Sequence, residues 1–125
     1  TYPIAIASGA LRPEIELVLE QIGIRKAFGH ITSAEDVTCG KPNPEPFLQA
    51  LAGLNRHQST AAIVPNSCLV IEDSLPGIRA AKAAGMKVLA VTNTHTSQDL
   101  HEADAISSSL SETRLKDLRA RLWPT

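Results

Sequence analysis

The stretch that decides the fold is residues 68–85, which read CLVIEDSLPGIRAAKAAG. Its first four residues are apolar and predict a strand that is buried on both faces. Pro76 suits the first turn of a helix, and Gly85 suits its end. Glu72 and Asp73 fall between these two elements, so the stretch predicts a strand–helix unit with two carboxylates at its turn.

Outward from this stretch, short apolar runs alternate with segments of helical periodicity, which predicts an α/β fold with a parallel sheet covered on both faces. The predicted strands are 4–7, 30–32, 68–71, 88–91 and a short fifth at 105–106. A helix is predicted from about Pro76 to Ala84. The other predicted helical faces are Ile15, Val18, Leu19 and Ile22; Phe47, Leu48, Leu51 and Leu54; and Leu115, Leu118 and Leu122. A polar segment, 55–60, leads away from the second helix.

The composition is that of one soluble globular domain spanning residues 1–125, with 43% apolar and 20% charged residues. A net charge of -1 argues against a nucleic-acid partner. No apolar run reaches the roughly 18 to 20 residues that cross a bilayer, and no signal peptide opens the chain, so we expect no membrane partner and a cytoplasmic location. Cys39 and Cys68 match no metal spacing, so partly buried, reduced thiols are expected.

Polar residues follow the predicted strands where ligands bind in open α/β sheets. Ser8 and Gly9 follow the first strand. A serine hydroxyl can donate to an anion, and glycine lets backbone N–H groups approach it closely. An ordinary strand-to-helix turn would use the same residue types. Both readings remain open from the residues alone.

Two further clusters point to a phosphate and a divalent cation. Lys41 lies in the loop Gly40-Lys41-Pro42-Asn43-Pro44, where two prolines stiffen the chain around a point charge suited to phosphate. Glu72 and Asp73 offer the hard oxygen ligands that magnesium prefers. The alternative is that Lys41 is simply solvated and that Asp73 or Ser74 caps the following helix.

Read in order, residues 4–9, 40–44 and 69–85 resemble the second, third and fourth motifs of the haloacid dehalogenase superfamily, in its β-phosphoglucomutase and phosphoglycolate phosphatase-like branch. The resemblance implies a Rossmann-like, three-layer core. It also implies a magnesium-dependent phosphatase or phosphomutase, acting on a small phosphorylated metabolite such as a sugar phosphate. Selectivity in this family comes largely from the cap, so the resemblance names no substrate.

The resemblance also implies a role for each matching residue. Ser8 and the Gly9 backbone would hold the transferring phosphoryl group, and Lys41 would neutralise it. Asn43 would join these residues in substrate binding, and Asp73, with Glu72 nearby, would bind Mg²⁺. The family's chemistry is carried out by a nucleophilic aspartate, and a second aspartate two positions later acts as acid and base.

Neither aspartate of that first motif has a match here, because no two aspartates of this chain are spaced as Asp-x-Asp. In the family, this motif and a helical cap precede the second motif. We therefore expect residues 1–125 to be the C-terminal portion of a core domain, without its central strand and catalytically silent alone. Its residues 4–7 should then pair directly with 69–72, or the chain should associate with a second copy or a partner chain that supplies the strand.

Two other function classes remain from the sequence. The chain could be a non-catalytic domain, split or degenerate, that binds phosphate or assembles with a partner. It could instead be another doubly wound fold, such as a response-regulator receiver with its own acidic cluster, although that reading explains the proline-flanked Lys41 poorly.

Overall fold

The alternation of strands and helices is confirmed by the computed structural model, which describes residues 2–58, 61–93 and 95–125. In chain order the elements are β1 (Ala5–Ala7), α1 (Arg12–Gln21), β2 (His30–Thr32), α2 (Glu45–Asn55), β3 (Leu69–Glu72), α3 (Leu75–Ala83), β4 (Lys87–Val91), β5 (Ala105–Ser107) and α4 (Leu115–Leu122). Each predicted strand lies within one residue of its observed bounds. The predicted polar segment 55–60 ends at Ser59 and Thr60, which lie outside the described residues.

Over the described residues, the strands form two parallel sheets, in the orders β1–β2 and β3–β4–β5. Ala5 pairs with His30 in the first sheet, and Leu69 pairs with Lys87 in the second. No pairing among these residues joins β1 to β3, so the prediction that residues 4–7 pair directly with 69–72 is wrong. Association with another chain stays a prediction.

Helix α2 joins the two sheets into one core. It contacts both β1 and α3. Its buried Phe47 and Leu51 share one hydrophobic cluster with Val70 of β3, and Ala7 of β1 packs against this cluster. The helix therefore packs against both sheets, while the facing strands β1 and β3 are not paired with each other among the described residues.

Within the described residues, the facing edges of β1 and β3 are not paired with a further strand. The amide of Gly29 donates to the Ile4 carbonyl and the amide of Lys87 donates to the Cys68 carbonyl. Because successive peptide groups of a strand point to opposite edges, the peptide groups of Ala5 and Ala7, and of Leu69 and Ile71, face away from those neighbours. We call the region between these two strand edges, residues 5–7 and 69–71, the slot.

The face of α1 is only partly buried, which corrects the sequence prediction. Ile15 and Leu19 are buried, whereas Val18 and Ile22 are 54% and 61% exposed. Neighbouring strands lie about 4.8 Å apart and a helix with its side chains is about 10 Å wide, so a two-stranded sheet covers only part of one helix face.

The apolar faces of α2 and α4 need similar corrections. Leu48 is exposed and Leu54 half-buried, while α2 buries Pro46, Ala50 and Gly53 beside Phe47 and Leu51. On α4, Leu118 is buried but Leu115 is exposed. Cys39 is exposed and Cys68 half-buried, so the expectation of a partly buried thiol fails for Cys39. Within the described residues, no helix is long and apolar enough to cross a membrane.

Candidate functional site

The centre of the candidate site is the ammonium group of Lys41, at the end of the slot where β1 and β3 finish. Its Nζ atom lies 2.8 Å from Oε2 of Glu72 and donates to the carbonyl oxygen of Ala7 at 3.1 Å. The same atom lies 4.9 Å from the centre of the Phe47 ring, a favourable position for a cation. The structure thus brings Lys41 and Glu72 together from positions 31 residues apart in the chain.

The proline-rich loop is closed by its own hydrogen bonds. The Asn43 amide donates to the Gly40 carbonyl at 3.0 Å, and the Asn43 side-chain oxygen accepts from the amide of Glu45 at 2.9 Å. An asparagine oxygen in this position satisfies one of the amides left unpaired at a helix start. The oxygen of Asn43 therefore helps to begin α2, and the exposed side chain keeps its NH₂ group for other partners.

Glu72 is committed to holding the site rather than open to solvent. Its side chain is 9% exposed, and its Oε1 atom accepts from the Asp73 amide and from the Ser74 hydroxyl at 3.0 and 3.2 Å. Burial alone would raise the pKa of Glu72, but the hydrogen bond and positive charge of Lys41, with the bonds from Asp73 and Ser74, lower it. The carboxylate therefore stays ionised and paired.

Gly77 makes this arrangement possible, a role that was not predicted from the sequence. A Cβ atom at this position would overlap the carboxyl group of Glu72. A glycine directly after Pro76, in the first turn of a helix, could have indicated a close contact. The resemblance included Gly77 only as part of the fourth motif. Gly77 is therefore needed for the close approach of α3 to Glu72.

Asp73 differs from Glu72 because nothing in the described part of the chain occupies its carboxylate, either by a hydrogen bond or by an ion pair. Ser74 rather than Asp73 caps α3, since its Oγ atom accepts from the Gly77 amide at 3.2 Å. Among the described residues, no three His, Cys, Asp or Glu side chains cluster closely enough to hold a metal. Magnesium commonly takes one or two protein carboxylates and completes its shell with water and phosphate oxygens, so Asp73 fits such a site.

Ser8 and Gly9 form the turn that follows β1, next to the Ala7 carbonyl that binds Lys41. The Ser8 amide donates to the Thr32 carbonyl, and the Ser8 hydroxyl oxygen accepts from the Ala10 amide at 3.1 Å. The hydroxyl proton remains available for a ligand. Gly9 is exposed, and a Cβ atom added there would meet no heavy atom within 4 Å, so the protein itself does not require glycine at this position.

Comparison with known proteins finds similarity to hydrolases and phosphatases. A family model described as haloacid dehalogenase-like hydrolase matches residues 1–85. The bifunctional riboflavin kinase/FMN phosphatase of Arabidopsis thaliana is 39% identical over 116 residues, which cover 91% of this chain and 29% of the relative. The validoxylamine A 7'-phosphate phosphatase of Streptomyces hygroscopicus subsp. limoneus is 33% identical over 112 residues, 90% of this chain and 49% of the relative.

Among solved structures, the β-phosphoglucomutase of Clostridium difficile superposes with a TM-score of 0.81 at 28% identity, covering 96% of this chain and 48% of that one. The three proteins named are phosphatases or a phosphomutase. This chain spans about half of their length or less.

Proposed function

Because the chain belongs to the haloacid dehalogenase-like hydrolase family, we propose that it provides the phosphate- and magnesium-binding side of a phosphatase or phosphomutase active site. The substrate would be a small phosphorylated metabolite, as the names of the relatives suggest for those proteins. The observation that carries this proposal is the Lys41 ammonium, held between Glu72 and the Ala7 carbonyl at the end of the slot.

Each residue of the site has a task that its contacts support. Lys41 is held by an ion pair and still 23% exposed, so it can neutralise phosphate oxygens without leaving its place. The Ser8 hydroxyl donates to a phosphate oxygen while its own oxygen remains bound to the Ala10 amide. Charge balance on the phosphate oxygens is the main electrostatic task in phosphoryl transfer.

Asp73 would hold Mg²⁺, with the buried Glu72 beside it keeping Lys41 in place. The ion would supply further positive charge to the phosphate oxygens when bound. Asp73 is half-buried, and its carboxylate has no hydrogen-bond or ion-pair partner within the described residues, which supports this assignment.

The family's nucleophilic aspartate belongs to an Asp-x-Asp motif, and no two aspartates of this chain have that spacing. The chain by itself therefore lacks the side chain for the nucleophilic step. We expect the residues of this chain to bind and orient a phosphate without attacking it. An aspartate on a strand placed in the slot, from another part of the polypeptide or from a second chain, would lie between Ser8 and Asp73. Main-chain hydrogen bonds from both edges of the slot would hold such a strand.

The test uses the 125-residue chain with p-nitrophenyl phosphate and magnesium, and with magnesium alone in a calorimeter. We expect no turnover above background, and magnesium binding that weakens by at least about tenfold in Asp73→Asn. Asp117→Asn, which removes an exposed carboxylate on α4, is the matched control. Turnover by the wild-type chain that Asp73→Asn abolishes would contradict the expectation that the chain alone is inactive. Equal magnesium affinity in Asp73→Asn and Asp117→Asn would contradict the proposed magnesium site at Asp73.

A second candidate function is non-catalytic assembly, and the slot is the observation that favours it. Within the described residues, β1 and β3 each pair with one strand on one edge only, and Ile71 of β3 is 50% exposed, so the free edges are suited to pairing with a further strand. Sedimentation of the pure chain over a concentration series distinguishes this function. If the chain is a monomer at all concentrations and no partner binds at the slot, the assembly function is contradicted. Phosphate and metal binding would then be the remaining candidate function.

A further inference from the structure

The carboxylate of Glu45 is the anchor of the loop that carries Lys41. Its Oε2 atom accepts from the amide of Thr38 at 2.8 Å, and its Oε1 atom accepts from the amide of Cys39 at 3.1 Å. Both amides belong to the segment that leads directly into Gly40 and Lys41. A carboxylate that accepts two backbone N–H groups makes charge-assisted bonds, which are stronger than neutral ones.

Glu45 is itself fixed by the helix that it begins. Its amide donates to the Asn43 side chain, and Gln49, one turn further along α2, donates to Oε2 of Glu45 at 2.9 Å. Gln49 also donates to the carbonyl of Asp36 at 3.0 Å, so both ends of the segment 36–39 are tied to α2. The bonds from Thr38 and Cys39 lower the pKa of Glu45, which keeps the anchor ionised.

Helix α2 therefore holds Lys41 in two ways. Glu45 fixes the backbone that leads to Lys41, and Phe47, two residues later, supports the ammonium with its ring at 4.9 Å. Phe47 is buried in the core that joins the two sheets. The position of the ammonium relative to Glu72 and Ala7 thus depends on a helix that is anchored in that core.

We propose that Glu45 is a positioning residue for the phosphate site: it holds the 38–41 backbone so that the Lys41 ammonium reaches the end of the slot. This inference rests on the proposed phosphate role of Lys41. Glu45 acts through the Thr38 and Cys39 amides and does not touch the phosphate. An acidic residue in a first helical turn also stabilises the helix by its charge alone, so the test must separate these two effects.

The test follows the ε-methylene protons of Lys41 by NMR, because a lysine over an aromatic ring shows an upfield ring-current shift. Phe47→Leu gives the value without the ring. In Glu45→Ala we expect the Lys41 signal to move most of the way to that value, and inorganic phosphate to bind about tenfold more weakly. Glu45→Gln, which can keep one of the two amide bonds, should fall between wild type and Glu45→Ala and serves where alanine prevents folding.

Glu14→Ala is the matched control, because Glu14 lies in the first turn of α1 and its side chain makes no hydrogen bond or ion pair within the described residues. It should leave both the Lys41 signal and the phosphate affinity at wild-type values. A wild-type Lys41 signal in Glu45→Ala overturns the inference. If the signal moves as expected while the wild-type chain binds no phosphate, the positioning role stands and the proposed function fails instead.

Discussion

Replacing Lys41 by methionine tests whether the Lys41–Glu72 ion pair is a stabilising part of the site. Breaking a buried ion pair by removing one partner costs about 3 to 5 kcal/mol, because the remaining charge is left buried. Here Glu72 keeps the bonds from Asp73 and Ser74, and Lys41 is 23% exposed. Methionine also packs well against an aromatic ring such as Phe47. We therefore expect Lys41→Met to lower the free energy of unfolding by about 2 kcal/mol at pH 7.

The assay is urea unfolding at pH 7, with the double variant Lys41→Met/Glu72→Gln completing a mutant cycle. Glutamine is uncharged and its oxygen can still accept from the Asp73 amide. The double variant should therefore be more stable than Lys41→Met alone, by about 1 to 2 kcal/mol. Arg79→Met, which removes one partner of the exposed Arg79–Glu102 pair, should change stability much less.

Two results would refute this reasoning. If Lys41→Met unfolds at the same urea midpoint as the wild type, the pair contributes nothing and the ammonium is not held by Glu72. If Glu72→Gln lowers stability further in the Lys41→Met background, then an unpaired buried carboxylate is not the source of the loss.

Two more predictions concern the elements around the site. Gly77→Ala should destabilise the chain by about 1 to 3 kcal/mol in urea unfolding, because a Cβ atom would overlap the Glu72 carboxyl group, whereas Gly9→Ala should have little effect; equal effects would contradict the packing argument. Burial alone would raise the pKa of Asp104, but bonds from Lys82 and a backbone amide lower it below 3.8. The ionised Asp104 therefore stabilises the fold above pH 3.8, and this contribution is lost as the pH falls through the lower pKa of the folded state. Asp104→Asn should accordingly flatten the acid end of a plot of unfolding free energy against pH, and an unchanged plot would contradict this prediction.

The sequence predicted the local elements well because their signals are local. Apolar runs predicted the strands, and Pro76 and Gly85 predicted the two ends of α3. The buried faces of the helices were predicted less well. Val18, Ile22 and Leu48 follow helical periodicity, yet they are exposed because periodicity shows which residues share a face and not how wide the covering sheet is.

For the candidate site, the sequence named Lys41, Glu72 and Asp73 but not their different tasks. Two adjacent carboxylates look equivalent in a sequence. Only the tertiary structure buries Glu72 against Lys41 and leaves Asp73 without a partner among the described residues, because the direction of each side chain depends on how α3 meets β3.

What the sequence determined by itself is therefore the α/β class, the order of the elements and the residue types at the strand ends. The tertiary structure decided the rest: the separation of the two sheets, the slot between β1 and β3, and the contact of Lys41 with Ala7 and Phe47. These features arise from contacts between segments far apart in the chain, such as Lys41 with Glu72 and Phe47 with Val70. A local pattern in the sequence does not specify which distant segments come into contact.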